Sequence, residues 1–305
     1  MVGAQMNLFA NTEIENQYDK IVNVASVPQR SPFRYPGGKT WLVPIVRRWL
    51  KTRKVRELIE PFAGGGIISL TAAFEELVER VTMVEFDDQV AAVWETIFNG
   101  GDQRLADRIV NFEMTIENVK SVLSKTDVSL EELAFQTILR NRVNHGGILA
   151  PGSGLLKHGE NGKGLKSRWY ADTLYKRIIS IARIRDTVRF IHGDGMAVLR
   201  ENQASKDTAF FIDPPYTAAG KKAGKRLYAH NELDHDRLFE SAAVLNGDFL
   251  MTYDNADGVT DLARKHNFDM HTVGMKNTHH AEMTELLISR DLDWIRRTEE
   301  RKMAS

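Results

Sequence analysis

The sequence predicts a doubly wound α/β fold: a largely parallel sheet, an antiparallel hairpin at one edge, and a mainly helical insertion. Three observations predict it. Short apolar runs of strand length recur along the chain, helix-spaced apolar residues lie between them, and the last two runs stand too close for a crossover helix. In order, residues 1–29 are polar and aperiodic and read as a loosely attached extension. Strands are expected at Glu57–Glu60, Val81–Glu85, Val188–His192, Ala209–Asp213, Phe249–Tyr253, Phe268–Val273 and Glu285–Ser289. Helical spacing covers Ile67–Arg80 and Arg237–Leu245. The interval from Ala91 to Asp186 is too long for one crossover. Helical stretches fill its first part (Val93–Ile97, Leu105–Phe112, Leu130–Leu139), and 141–167 is rich in Gly, Asn and basic residues. The division expected is an extension over 1–29, a discontinuous domain over 30–100 and 186–305, and an inserted domain over 101–185.

Composition is that of an ordinary globular chain, with 42% hydrophobic and 27% charged residues. No apolar run could span a bilayer, and no basic start followed by an apolar stretch marks a secretory signal. Cysteine is absent, which excludes disulfides, thiolate zinc sites and a cysteine nucleophile, and suits the cytoplasm. The histidines at 266, 271, 279 and 280 match no metal spacing, so no metal is expected. The 41 basic and 41 acidic residues cancel, but they are segregated. Arg30 to Arg56 holds nine bases and no acid; Glu57 to Leu139 holds 16 acids against 5 bases; Arg140 to Arg189 holds 11 bases against 3 acids. Such blocks suit a molecule with one face toward a polyanion, although solvated surface can look the same.

Glu60-Pro61-Phe62-Ala63-Gly64-Gly65-Gly66 follows an expected strand and opens an expected helix. Glycines let a backbone approach a ligand closely, and a helix N-terminus offers unpaired N–H donors. Glu85 lies 21 residues beyond Gly64 at the end of the second strand, where a carboxylate can accept hydrogen bonds from ribose hydroxyls. A structural turn with a surface Glu has the same local pattern, but strand, turn, helix, strand and acid in register favour a nucleoside cofactor. The pattern is not G-x-G-x-x-G, and Glu60 at the strand tip would repel a pyrophosphate while attracting a sulfonium or ammonium group. Both details favour S-adenosylmethionine over a dinucleotide.

Asp213-Pro214-Pro215-Tyr216 follows the fourth expected strand, at the carboxyl edge of the sheet beside the Gly-rich turn. The prolines fix the backbone and remove two N–H donors, leaving carbonyls to face a substrate. A carboxylate and a carbonyl together can accept both hydrogens of an exocyclic amine, and the Tyr216 ring offers a surface on which a planar base can stack. Catalysis of this kind is alignment plus hydrogen bonding.

In this order, with Arg34-Tyr35-Pro36-Gly37-Gly38-Lys39 preceding them, the motifs resemble the Dam-like family of DNA adenine-N6 methyltransferases. The resemblance spans about Ser31 to Arg290. It implies a Rossmann-like methyltransferase sheet with a target-recognition domain between the second and third motifs. It also implies S-adenosylmethionine as methyl donor, S-adenosylhomocysteine as product, and adenine flipped from duplex DNA as substrate. It assigns Tyr35, Lys39, Glu60, Phe62, Gly64, Gly66, Glu85, Phe86, Asp194 and Asp213 to the cofactor. Asp213, Pro214, Pro215 and Tyr216 go to the target base. It further implies a bacterial or phage setting, including restriction-modification. The stretch 146–166 departs from that of GATC-specific members, which leaves the target sequence open.

Candidate DNA contacts are Arg140, Arg142, Asn144, Lys157, Lys163, Lys166 and Arg168 in the insertion, and Lys221 and Lys222 after the catalytic motif. An Asn in a Gly-rich loop is more often a turn former than a base reader. The Gly- and Lys-rich 217–225 can equally be a closing loop or a solvated one. A single chain suffices for one flipped base, so a monomer is plausible. Alternatives are a cytosine-N4 or RNA base methyltransferase, or a catalytically silent DNA-binding relative.

Overall fold

Leu58 and Ile59 of β1 (Glu57–Glu60) are both buried, and successive strand residues point to opposite faces, so both faces of the sheet are covered. The computed structural model describes residues 27–34, 38–149, 153–155, 164–215, 233–276 and 282–297. β4 (Thr208–Ile212) is buried along its whole length and pairs with β1 in parallel at the sheet's centre. Continuous apolar runs are what a strand covered on both faces requires. Around this pair stand β2 (Arg80–Glu85), β3 (Val188–His192), β5 (Asp248–Asp254), β6 (Asp269–Lys276) and β7 (Glu282–Ser289), in the order β3-β2-β1-β4-β5-β7-β6. β7 runs antiparallel to β5 and β6, which makes the edge hairpin. The fold is therefore the α/β sheet with an antiparallel edge that the sequence predicts. Strand order reverses between β1 and β4, and the loops leaving these two strands open a crevice at their carboxyl ends.

Among the described residues the α-helices are α1 (Val43–Arg53), α2 (Ile67–Phe74), α3 (Asp88–Thr96), α4 (Asp102–Asn111), α5 (Ile116–Leu123), α6 (Leu130–Val143), α7 (Ala171–Ala182), α8 (Gly195–Glu201), α9 (His235–Ala243) and α10 (Asp257–Lys265). Helical spacing over Ile67–Arg80 overshoots. α2 ends at Phe74 because Glu76 takes a left-handed φ of 50°, which turns the chain toward β2. The expected strand Ala209–Asp213 ends at Ile212, which leaves Asp213 in the crevice rather than in the ladder. The hairpin strands are longer than expected, pairing out to Lys276 and Glu282. α8 and α10 each contain a glycine, which weakens a helix and hid them from periodicity.

Val119 of α5, Phe135 of α6 and Ile178 of α7 share one cluster of buried side chains with Leu58 and Val81 of the sheet. Ile59, Val84, Phe210 and Phe239 form a second cluster on the other face. Among the described residues, no helix is long and apolar enough to cross a membrane.

Candidate active site

After β1 the chain closes a tight turn, Ala63 N–H donating to the Val84 carbonyl (2.9 Å) and Gly66 N–H to that of Ala63 (2.7 Å). Gly66 has a φ of +64°, and a Cβ there would stand 2.6 Å from Met83 Cε and 3.2 Å from Trp94 Cζ2. The left-handed conformation demands glycine, and the Trp94 ring leaves little room for a Cβ. Trp94, fully buried on α3, donates from Nε1 to the Gly64 carbonyl at 3.0 Å and holds the turn from below. Sequence reasoning did not single out Trp94, because an apolar face of a helix carries many such residues.

Two carboxyls flank this turn. Glu60 is 3% exposed, and its Oε2 accepts from Ser69 N–H (3.0 Å) in the first turn of α2. Burial pushes its carboxyl up to about 8; hydrogen bonding from Ser69 opposes the shift, and the nearby Asp213 and Glu85 add to it. Glu85, at the end of β2, accepts from the N–H groups of Gly64 (2.8 Å), Phe86 (2.9 Å) and Asp87 (2.8 Å). Burial pushes it up to about 7 despite these bonds, which favour the charged form. Phe86 lines the same cleft and is exposed.

After β4, Asp213 Oδ1 accepts from Thr252 Oγ1 of β5 at 2.8 Å and faces Lys39 Nζ at 3.1 Å. Lys39 is 4% exposed and also approaches Glu285 Oε1 of β7 at 3.6 Å. Glu285 is buried, and burial pushes its carboxyl up to about 7 against the opposing charge of Lys39. A chain of charges thus runs from the edge hairpin through the first motif to Asp213. Glu285 and Thr252 were missed in the sequence; the one available signal was an acid opening the apolar run Leu286–Ser289.

Asp194 caps α8 by accepting from Met196 N–H at 2.8 Å and is not among the residues that line the cleft. Gly195, next to it, packs against Pro61 so closely that a Cβ would lie 2.0 Å from the Pro61 carbonyl oxygen. Phe62, Gly64, Gly66, Pro214 and Pro215 line the cleft with Lys39, Glu60, Glu85 and Asp213, in a volume of about 720 Å³. Tyr35 and Tyr216 lie outside the described residues.

The candidate DNA contacts are spread more widely. Arg140 donates to Gln89 Oε1 at 2.8 Å on α3. Arg142 is buried and lines the cleft. Asn144 is buried at the end of α6, its amide donating to the Ile148 carbonyl at 2.9 Å, as a turn former does. Its neighbour Asn141 bonds the Arg34 backbone and the Gly147 carbonyl, tying the first motif to the loop after α6. Lys166 is exposed and Arg168 half-buried in a short 3₁₀ helix (Gly164–Arg168). Lys157, Lys163, Lys221 and Lys222 lie outside the described residues. Among the described residues, one acidic group away from the cleft, Asp269, Asp291 and Asp293, is close enough to share an ion, but Arg296 already pairs with Asp269 and Asp293.

The cleft suits a nucleoside carrying a positive charge. Glu60 and Asp213 can face a sulfonium or ammonium group, Glu85 can accept from a ribose hydroxyl, and Phe86 can lie against a purine. This composition has a consequence for pH. Burial, which raises the Glu60 carboxyl to about 8, favours its protonated form at neutral pH. A bound cation favours the carboxylate, so binding should expel that proton. Affinity for S-adenosylmethionine is expected to rise with pH between about 6 and 8, by up to about tenfold per unit and proton, and then to level off. Calorimetric titration in buffers of differing ionisation enthalpy measures the released proton; an affinity independent of pH across that range would contradict the assignment.

Residues 35–144 match the family model for D12 class N6 adenine-specific DNA methyltransferases, in agreement with the resemblance carried by the motif order. The match contains the first motif from Tyr35 onward and the Gly-rich turn, and ends before Asp213. No curated protein matches the chain. Among solved structures, the rRNA methyltransferase AviRa of Streptomyces viridochromogenes is similar at 11% identity, covering 84% of this chain and 86% of that one, with a TM-score of 0.36. A precorrin-6y C5,15-methyltransferase of Geobacter metallireducens is similar at 10% identity, covering 81% and 86%, with a TM-score of 0.36. Likenesses this distant do not bear on substrate or site residues. The family match, with the site on the sheet, supports a methyltransferase that uses S-adenosylmethionine.

Proposed function

With the family match over residues 35–144 as premise, we propose that this chain methylates N6 of adenine in duplex DNA, the base having left the stack. The observation that carries the reading is the Lys39–Asp213 pair, 3.1 Å apart, which joins the first motif to the third beside the acid-flanked turn. S-adenosylmethionine, when bound, supplies an electrophilic methyl group. The chain's own residues do the rest. Asp213 is fixed by Lys39 and Thr252, so its carboxylate can accept a hydrogen from the target amine without reorganising. The Pro214 and Pro215 backbone leaves carbonyls free for the second hydrogen. With both hydrogens held, the amine lone pair is directed toward the methyl carbon, and the proton lost on transfer has an acceptor beside it. Tyr216 is assigned the stacking role by the motif. Residues 101–185 are read as the target-recognition region, with Lys166 and Arg168 as phosphate contacts.

The test is product analysis. The protein is incubated with labelled S-adenosylmethionine and unmethylated duplex DNA, and the DNA is digested to nucleosides. Label in N6-methyladenine is expected. Label in N4-methylcytosine, label in RNA alone, or none at all would overturn the proposal.

A further inference from the structure

We infer that Arg142 and Arg177 form a phosphate-binding subsite in the cleft wall, which holds a phosphodiester of the nucleic-acid substrate. The inference rests on the reading of the chain as a DNA methyltransferase and adds where the target strand is gripped.

Arg142, at the end of α6, is 4% exposed. One of its terminal nitrogens donates to the Pro32 carbonyl, while its Nε is buried with no hydrogen-bond partner. Arg177, half-buried on α7, donates from Nη1 to the Ser31 carbonyl at 2.9 Å. Both acceptors are neutral, and no carboxylate acts on either guanidinium among the described residues. Burial, with Arg177 and Arg34 nearby, pushes the Arg142 guanidinium down to about 9, and burial lowers Arg177 as well. Buried charge without a counter-charge is costly, and proteins keep it where an anion will complete it. The planar forks of arginine suit a phosphate.

The surroundings select the anion. These arginines line the cleft with Ser31, Arg34, Ile148 and Tyr170, segments separate from the acid-flanked turn suited to the cofactor. Tyr170, a residue 56% exposed at this wall, has a left-handed φ of 40°. A non-glycine residue there is strained, and it places an aromatic surface beside two cations. An aromatic face next to paired guanidiniums matches a nucleotide, its sugar or base against the ring and its phosphate on the arginines.

The decisive variant is Arg177→Gln, which removes the charge and keeps a polar amide, with Arg177→Lys as the variant that keeps the charge. Arg142→Gln is the second charge-removing variant. DNA affinity is measured by fluorescence anisotropy across a salt series, and cofactor affinity by calorimetry. Each glutamine variant is expected to weaken DNA binding by about tenfold and to lower the slope of log affinity against log salt by about one, and Arg177→Lys to keep the wild-type slope. Cofactor affinity is expected to stay within about twofold. A salt slope equal to the wild type in the glutamine variants would show that the arginines only tether residues 31–32, and would overturn the inference. Loss of cofactor affinity with DNA binding intact would also overturn it, by assigning the pair to the cofactor carboxylate. If wild-type protein binds DNA but labels no adenine, the methylation reading fails and the salt slopes still decide the subsite.

Discussion

Asp213→Ala is expected to lower the single-turnover rate of methyl transfer by about 10²–10³-fold, the range for removing one preorganised polar group aimed at developing charge. The expectation follows from how the carboxylate is held. Thr252 Oγ1 and Lys39 Nζ both address Oδ1, at 2.8 and 3.1 Å. Asp213 is therefore placed before any substrate arrives, and its loss removes both an acceptor and its alignment. Alanine also removes one of the carboxylates facing the buried Lys39, and breaking a buried pair can cost about 3–5 kcal/mol. Asp213→Asn separates the two effects, since its amide oxygen can still accept from Thr252 and Lys39. The asparagine variant should fold with near wild-type melting temperature and still lose most of the rate. Activity within about tenfold of wild type for both variants would remove Asp213 from the reaction.

Gly195→Ala is expected to destabilise the protein by about 1–3 kcal/mol and to weaken cofactor binding with it. The new Cβ would meet the Pro61 carbonyl oxygen at 2.0 Å and its carbon at 2.9 Å. These are backbone atoms and cannot swing aside as a side-chain tip can. Either α8 lifts from the sheet, or the turn bearing Phe62 and Gly64 moves. Gly193→Ala is the control, because a Cβ there meets Ile191 Cγ2 at an ordinary 3.6 Å. Thermal melts of both variants, with cofactor titration, make the comparison. Equal stability for the two would show that the close approach carries no weight.

Much of the lining of the candidate site was legible in the order of residues, for a local reason. A strand tip, a glycine turn and a following helix are contiguous, so Glu60, Gly64 and Gly66 announce themselves by spacing, and so does Asp213 after an apolar run. Glu285, Thr252 and Arg177 were not legible. Each lies far along the chain from its partner in the cleft, on an element whose pattern reports only which face is buried. Asn144 and Arg142 illustrate the same limit from the other side. Basic and amide residues in a Gly-rich stretch suggest exposed contacts, yet both side chains are turned inward.

The sequence by itself determined the α/β class, the antiparallel edge and the identity of the motifs, because periodicity, turn chemistry and residue order are local properties. Only the tertiary structure decided which charges meet. Strand order brings β4 beside β1 and β7 beside β5, and that places Glu285, Lys39 and Asp213 in one line. Folding also decides which cations find a carboxylate and which, like Arg142 and Arg177, are buried against neutral carbonyls. Burial and counter-charge belong to the packed assembly of distant segments, and no window of the chain contains them.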